Sequence, residues 1–387
     1  MEDAHIIGDD MSSASSPGSG ALLFGVFDGH GGREVAYFCR EHVPSEARRR
    51  LERHRQAPAG EAGPSRDAEL LGKTLYATFH AMDDMLRLPA HEQELAAQRQ
   101  RQGGAADAPA MREEAQPGAQ ERVQQRLQEA LEADMARARA QGGTISRADA
   151  TRLAVGMSLL KRLGSGGAED LAAGAQRSAA DGVGCTAVCV GISATHLVCA
   201  NAGDSRAVLC RGGKVFSLSQ DHKPDAQIER RRIEAAGGSV RQVGPAGPQG
   251  RVQYRVNGEL SLSRAIGDLR YKQRQDLRAE EQVVCATPDI CIEERTPDDE
   301  FVIIACDGIW DVKTSKQACD FVRTRLRGGQ AVLDIVEDLL DACLTKDPKA
   351  SCGIGADNMT CIVVLLQEAR ALQQLSSGAC LPFRCLR

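Results

Sequence analysis

Short, continuous apolar runs alternate along this 387-residue chain with segments in which apolar residues recur every three or four positions. Leu22–Phe27 is the first such run, and it empties into the glycine-rich turn Asp28-Gly29-His30-Gly31-Gly32. Thr186–Ile192, His196–Ala200 and Phe301–Cys306 share its character, and the last has the unbroken apolar pattern of a strand buried on both faces. Arg206–Cys210 and Lys214–Leu218 flank Arg211-Gly212-Gly213, which predicts a hairpin. The Ser/Gly-rich stretch from Asp10 to Gly20 predicts a flexible connection between two paired strands.

Helical spacing takes over elsewhere. Val35, Phe38, Cys39 and His42 predict a helix over 33–42, and Leu71, Leu75, Phe79, Met82 and Leu86 one over 67–88. Thr314 and Gln317 form a capping box for a helix carrying Ala318, Phe321, Val322 and Leu326, which Gly328-Gly329 should end. Val332, Leu333, Val336, Leu339, Leu340 and Cys343 mark the next. Residues 91–180 lack aromatics and are rich in Gln, Arg, Ala and Glu. They are expected to be a partly helical or disordered surface insert, with one helix through Val123, Leu127, Leu131 and Met135. The resulting division is one catalytic domain over 1–90 and 181–370, the insert at 91–180 and a tail at 371–387.

Composition narrows the function. A net charge of −5 and 3% aromatic residues leave neither an electrostatic footprint nor stacking platforms for nucleic acid. The apolar runs are far shorter than the ~20 residues that span a bilayer, and no apolar signal segment follows Met1. No membrane role is expected. Most of the 14 cysteines sit inside apolar runs and form no C-x-x-C pair, so they read as reduced, small hydrophobes. A soluble, monomeric, cytoplasmic protein is the expectation, with nuclear entry left open.

The candidate chemistry lies where strands meet acidic turns. Leu22–Phe27 ends at Asp28, Phe301–Cys306 ends at Asp307-Gly308, and Asp357-Asn358 precedes the apolar run Met359–Leu366. Three strands each present an aspartate at one end, and an all-oxygen cluster suits Mg²⁺ or Mn²⁺ rather than zinc.

Met1-Glu2-Asp3-Ala4, Phe27-Asp28-Gly29-His30-Gly31-Gly32, Gly184-Cys185-Thr186-Ala187, Asn201-Ala202-Gly203-Asp204-Ser205-Arg206, Ser263-Arg264-Ala265-Ile266-Gly267-Asp268, Ala305-Cys306-Asp307-Gly308-Ile309-Trp310-Asp311 and Asp357-Asn358-Met359-Thr360 occur in this order. Together they resemble the signature series of the metal-dependent type 2C (PPM-type) protein serine/threonine phosphatases. The resemblance implies an α+β fold, a four-layer α-β-β-α sandwich of two antiparallel sheets with flanking helices, and a dinuclear metal site at one end. It also implies that Glu2 and Asp3 lie at the metal site, and that Asp204 and Asp268 belong to a third, weaker ion site. In the family's pattern an Arg a few residues before the Met grips the substrate phosphate. No residue precedes Met1 here, so an earlier natural start is expected.

Metal-assisted hydrolysis of phosphoserine and phosphothreonine in proteins fits these residues. Two ions ~3.5–4 Å apart would share Asp28, with Asp307, Asp357 and the Gly29 carbonyl completing their shells and a bridging hydroxide attacking phosphorus. His30 is the candidate general acid for the leaving oxygen, and Asp311, Glu2 and Asp3 would fix metal-bound waters at the margins. The alternative is a pseudophosphatase that keeps the sandwich as a binding scaffold, since the phosphate-gripping Arg is missing. Two decoys fall away. Cys319–Arg325 has the C-x₅-R spacing of cysteine-nucleophile phosphatases but lies in an amphipathic helix without glycine, and Gly72-Lys73-Thr74 lacks the first glycine of a P-loop.

Overall fold

The computed structural model describes residues 1–12, 20–56, 63–100, 180, 182–244, 252–347, 351 and 354–366. They belong to one unit, Met1–Gly104 with Ser178–Arg387, and the other, Ala105–Arg177, lies wholly outside the described residues. The helix expected through Val123–Met135 and the tail 371–387 fall outside them as well.

Two antiparallel sheets form the frame. The first orders β1 (Ala4–Asp10), β2 (Leu22–Phe27), β5 (Ala187–Ile192), β6 (His196–Ala202) and β12 (Asp289–Glu294). The second orders β14 (Cys361–Leu365), β13 (Asp299–Ala305), β7 (Arg206–Arg211) and β8 (Lys214–Ser217). Because side chains alternate across a strand, Phe24, Val26, Val188, Val190, Leu197 and Cys199 of the first sheet share one buried cluster with Leu209, Val302, Ile304, Ile362 and Val364 of the second. The opposite faces are buried too. Leu23, Phe27, Cys189 and Val198 pack with residues of α1 (Glu34–Gln56) and α2 (Pro64–Leu86). Phe301, Ile303 and Val363 pack against α5 (Asp307–Trp310), α6 (Ser315–Arg327) and α7 (Val332–Asp341), with Trp310, Val322, Ile335 and Leu339 between them. Coverage on both sides is why these strands read as continuous apolar runs although the sheets are antiparallel. Two smaller sheets complete the unit: β3 (Gly29–His30), β4 (Gly184–Cys185) and β11 (Ile266–Gly267), and the hairpin β9 (Val240–Val243) with β10 (Gln253–Val256).

Local signals held in detail at several places. β1 and β2 pair antiparallel across the Asp10–Gly20 connection, with a register shift between Ile6 and Asp9. Thr314 Oγ1 accepts from Gln317 N at 3.2 Å, Gln317 Oε1 accepts from Thr314 N at 2.9 Å, and α6 ends at Gly328-Gly329, where Gly329 takes φ +78°. The eleven described cysteines are free and all but Cys291 are buried. Cys319 is one of these, inside α6, and Gly72 lies within α2.

Other elements differ from expectation. The first helix does not stop at residue 42: its apolar stripe continues through Val43, Ala47 and Leu51, and α1 runs past an internal Pro44 to Gln56. Residues expected to open the insert instead form α3 (Pro89–Gln100), whose Leu95 is fully buried in the core of the unit. The Asp221-His222-Lys223-Pro224 sequence and the Gly- and Pro-rich stretch 237–250 predict a mobile flap beside the cleft; among the described residues, α4 (Gln227–Ala235) lies between them and the strands β9 and β10 pair as a hairpin. Together these elements close over a small core of Ile233, Ala236, Val256, Leu262, Tyr271 and Val284; residues 245–251 are outside the described set.

A charged network holds α4 in place. Glu229 accepts from Arg264 Nη2 at 2.7 Å, from Arg232 Nη1 at 2.6 Å and from Ser263 Oγ at 2.6 Å. Burial alone would raise its carboxyl pKa, but the Arg264 hydrogen bonds and the charges of Arg232 and Arg264 hold it at about 2. A depressed folded-state pKa stabilises the fold above the unfolded value near 4.5, and that stabilisation is lost as pH falls towards about 2. Glu229→Gln should therefore cost on the order of 2 to 3 kcal/mol at neutral pH and flatten this part of the acid limb in pH-dependent urea denaturation. In α2, Phe79→Ala should cost ~3–5 kcal/mol by the same measurement, because the ring is fully buried.

Candidate functional site

The ends of the strands assemble one acidic cleft. Asp28 follows β2, Asp307 opens α5 immediately beyond β13, and Asp357 lies ahead of β14. These three, with Glu2, Gly29, His30, Asp204 and Asp268, line a cavity of about 430 Å³. Asp28 is fixed by strand geometry: its N–H donates to Thr186 Oγ1 at 3.3 Å, and its carbonyl accepts from Thr186 N at 2.9 Å. Thr186 in turn meets Ser205 Oγ at 2.7 Å. Gly29 runs so close to the first residues that an added Cβ would stand 2.5 Å from the Glu2 carbonyl oxygen, so the turn carries the chain past Glu2 only without a side chain.

Electrostatics define what the cluster favours. Burial pushes the Asp28 carboxyl well above its usual range, and the charges of Asp3, Asp307, Asp204 and Asp357 push it further. Asp307 is raised to about 7, first by burial and then by Asp204, Asp311 and Asp357, against the opposing pull of Lys223. Carboxyl groups crowded in this way favour a divalent cation that would let all of them ionise. Among the described residues, no three carboxylates of the cleft each bring an oxygen within 4.8 Å of the others. The groups line an open space rather than a single tight cage. An all-oxygen donor set including a backbone carbonyl fits Mg²⁺ or Mn²⁺.

Asp3 sits behind the cleft, buried, with Thr360 Oγ1 donating to its Oδ2 at 2.7 Å. Asp311 lies at the C-terminal end of α5, exposed, and its charge reaches Asp307, Lys223 and Arg206. Asp204, in the turn after β6, pairs with Lys223. That cation escaped the sequence reading, although the Asp221–Pro224 segment had been singled out. His222 beside it fixes the same turn: its Nδ1 accepts from Gly203 N at 3.1 Å and its Nε2 donates to Asp289 Oδ2 at 3.1 Å.

Asp268 has a partner that sequence reasoning did not assign. Its Oδ2 lies 2.5 Å from His30 Nε2, where the resemblance had placed it with the outer ions. Burial would lower the His30 pKa, but the charge and hydrogen bond of Asp268 outweigh it, and Asp204 and Glu2 add to a net upward shift. Asp268 itself is 1% exposed and takes φ +49°, a left-handed conformation uncommon outside glycine. The N-terminus of α1, whose dipole would favour a nearby phosphate, carries Glu34, buried and paired with Arg99 at 2.7 Å. Arg255 and Arg270 complete the lining of the cavity.

The family model for Protein phosphatase 2C matches residues 1–114 and 129–350. The chain belongs to that family. Among curated relatives, a "Probable protein phosphatase 2C 11" of Oryza sativa subsp. japonica is 33% identical over 371 residues, covering 95% of this chain and 82% of the relative. "Protein phosphatase 2C homolog 3" of Schizosaccharomyces pombe is 50% identical over 189 residues, 49% of this chain and 42% of the relative. Against the first-ranked relatives the match thus spans less than half of their length, as it does for homolog 2 of the same yeast at 49%. A crystal structure of serine-threonine phosphatase 2C from Toxoplasma gondii aligns over 94% of both chains with a TM-score of 0.50 at 18% identity, a likeness of fold. The mixed helical and antiparallel-sheet architecture is thus the protein phosphatase 2C fold.

Gly184 offers a sharp probe of the His30–Asp268 pair. An added Cβ would stand 2.4 Å from Asp268 Oδ2 and 2.7 Å from His30 Nε2. Asp268 Cγ stands at 2.8 Å as well, so the buried pair must part. Gly184→Ala should therefore lower kcat for aryl phosphate hydrolysis by ~10²-fold or more and lower the melting temperature as well.

Proposed function

We propose that the chain hydrolyses phosphoserine and phosphothreonine in proteins, using two Mg²⁺ or Mn²⁺ ions. The observation that carries this reading is the convergence of Asp28, Asp307 and Asp357 from three strand ends beside a histidine already paired with a buried aspartate. Asp28, Gly29, Asp307 and Asp357 would hold the ions, with Glu2, Asp3 and Asp311 ordering their waters and Asp204 serving a third, weaker site. When bound, the ions supply charge neutralisation of the phosphate dianion and an acidified water at neutral pH.

The remaining work belongs to the protein's own side chains. His30, its pKa raised and its ring aimed by Asp268, donates its proton to the departing serine or threonine oxygen. Among the described residues, Arg255 and Arg270 are the guanidinium groups that line the cavity, and they meet the incoming dianion. That supplies cationic contact of the kind the resemblance gives to an Arg ahead of Met1. A purely scaffolding protein has no physical reason to bury carboxyl groups against one another, which favours the enzyme over the pseudophosphatase.

Phosphoserine and phosphothreonine peptides should be dephosphorylated with Mn²⁺ and left intact with EDTA. Asp28→Asn and Asp307→Asn should each lower turnover by at least ~10²-fold, read as phosphate release. Undiminished turnover in EDTA or in Asp28→Asn would overturn the metal mechanism. Peptide binding without hydrolysis under any divalent ion would instead identify a scaffold.

A further inference from the structure

Away from the acidic cleft, α1 and α3 bring together a different donor set. His42 projects from α1, and His91 and Glu94, three residues apart, share one face of α3. His42 Nε2 lies 3.0 Å from each carboxylate oxygen of Glu94, and His91 Nδ1 lies 3.2 Å from Glu94 Oε2. One ligand atom from each of the three falls within 4.8 Å of the others, an arrangement not repeated among the described residues. Phe38 packs against both imidazoles, at centroid distances of 4.2 Å and 5.1 Å, and the two rings meet edge to face at 5.2 Å. The side chains are 20–32% exposed, so an ion and one water could reach them from solvent.

From this geometry we infer a zinc site formed by His42, His91 and Glu94. Two imidazoles and one carboxylate are a zinc donor set with a fourth position left for water. With zinc–ligand bonds of ~2.0–2.2 Å, tetrahedral ligand atoms stand ~3.3 Å apart, close to the 3.0 Å and 3.2 Å that already separate Glu94 from the two imidazoles. The oxygen-only cleft and this nitrogen-rich cluster therefore sort different ions: hard cations to the first, zinc to the second. On binding, zinc takes the two ring nitrogens that now face Glu94; each neutral imidazole then carries its proton on its other nitrogen, the second proton of any imidazolium passes to solvent, and Glu94 changes from hydrogen-bond acceptor to ligand.

The site clamps α3 across α1 and does not take part in hydrolysis. Further along α3, Arg99 pairs with Glu34 at 2.7 Å and Arg33 Nη2 donates to the Gln98 carbonyl at 3.4 Å. These contacts lie at the start of α1, next to the Gly31-Gly32 turn, where an added Gly32 Cβ would run into the Glu34 carboxylate. Zinc at one end of the α1–α3 contact thus tightens a helix whose other end braces the loop that carries His30.

The test uses the full chain, stripped of metal and dialysed against zinc in excess Mg²⁺, with bound zinc counted per chain and melting followed by circular dichroism. Wild type and Asp28→Asn should each retain one zinc and melt at higher temperature with it. Glu94→Gln and His91→Gln should bind zinc at least ~10²-fold more weakly and lose the zinc-dependent shift, while their zinc-free melting stays cooperative. Cobalt in place of zinc should give the intense visible bands of a four-coordinate ion in Asp28→Asn and not in Glu94→Gln. No retained zinc in wild type, or zinc lost in Asp28→Asn and kept in Glu94→Gln, would overturn the proposal.

Discussion

Like-charged groups forced together in a poorly solvated cleft are the constraint from which the rest of this structure follows. Asp3, Asp28, Asp204, Asp307 and Asp357 approach one another because three strands end at the same edge, and burial, reinforced by their mutual repulsion, raises Asp28 and Asp307 far above ordinary carboxyl behaviour. Such a cluster is tolerable only if the surrounding framework is stiff and if cations compensate it. Stiffness comes from two sheets that are buried on both faces, so no strand bearing an aspartate can shift register without moving two layers of side chains.

The protein supplies part of the compensation itself. Lys223 pairs with Asp204 on one side of the cleft, and His30 pairs with Asp268 on the other. Lys223 is presented by a loop, and His30 by the short strand β3. His222, one residue before Lys223, bridges the Gly203 amide and Asp289 at the end of β12, so the loop that presents the lysine is tied to the first sheet. The divalent ions proposed for the centre then complete a charge pattern whose flanks are already neutralised.

Much of this was legible in the chain because it rests on local signals. Apolar runs bounded by an acidic turn located Asp28, Asp307 and Asp357, and Thr314 with Gln317 marked the start of α6 through a capping geometry that needs only four residues. What stayed hidden depends on distance in sequence. Asp268 and His30 are 238 residues apart, and neither hydrophobic period nor turn chemistry encodes such a pairing. Pro44 suggests a helix boundary by its missing N–H, yet packing of Val43, Ala47 and Leu51 carries α1 through it. The Gln- and Arg-rich composition after residue 90 masked a buried leucine, Leu95, through which α3 joins the core.

Asp268 adopts a backbone conformation that costs an ordinary residue ~1–2 kcal/mol, although aspartate tolerates it better than most. That expense orients the imidazole of His30 before any substrate arrives. The resting fold therefore holds a small reserve of instability at the spot where the proton must be delivered, and a lineage selected purely for thermal endurance would be drawn to relax it at the expense of turnover.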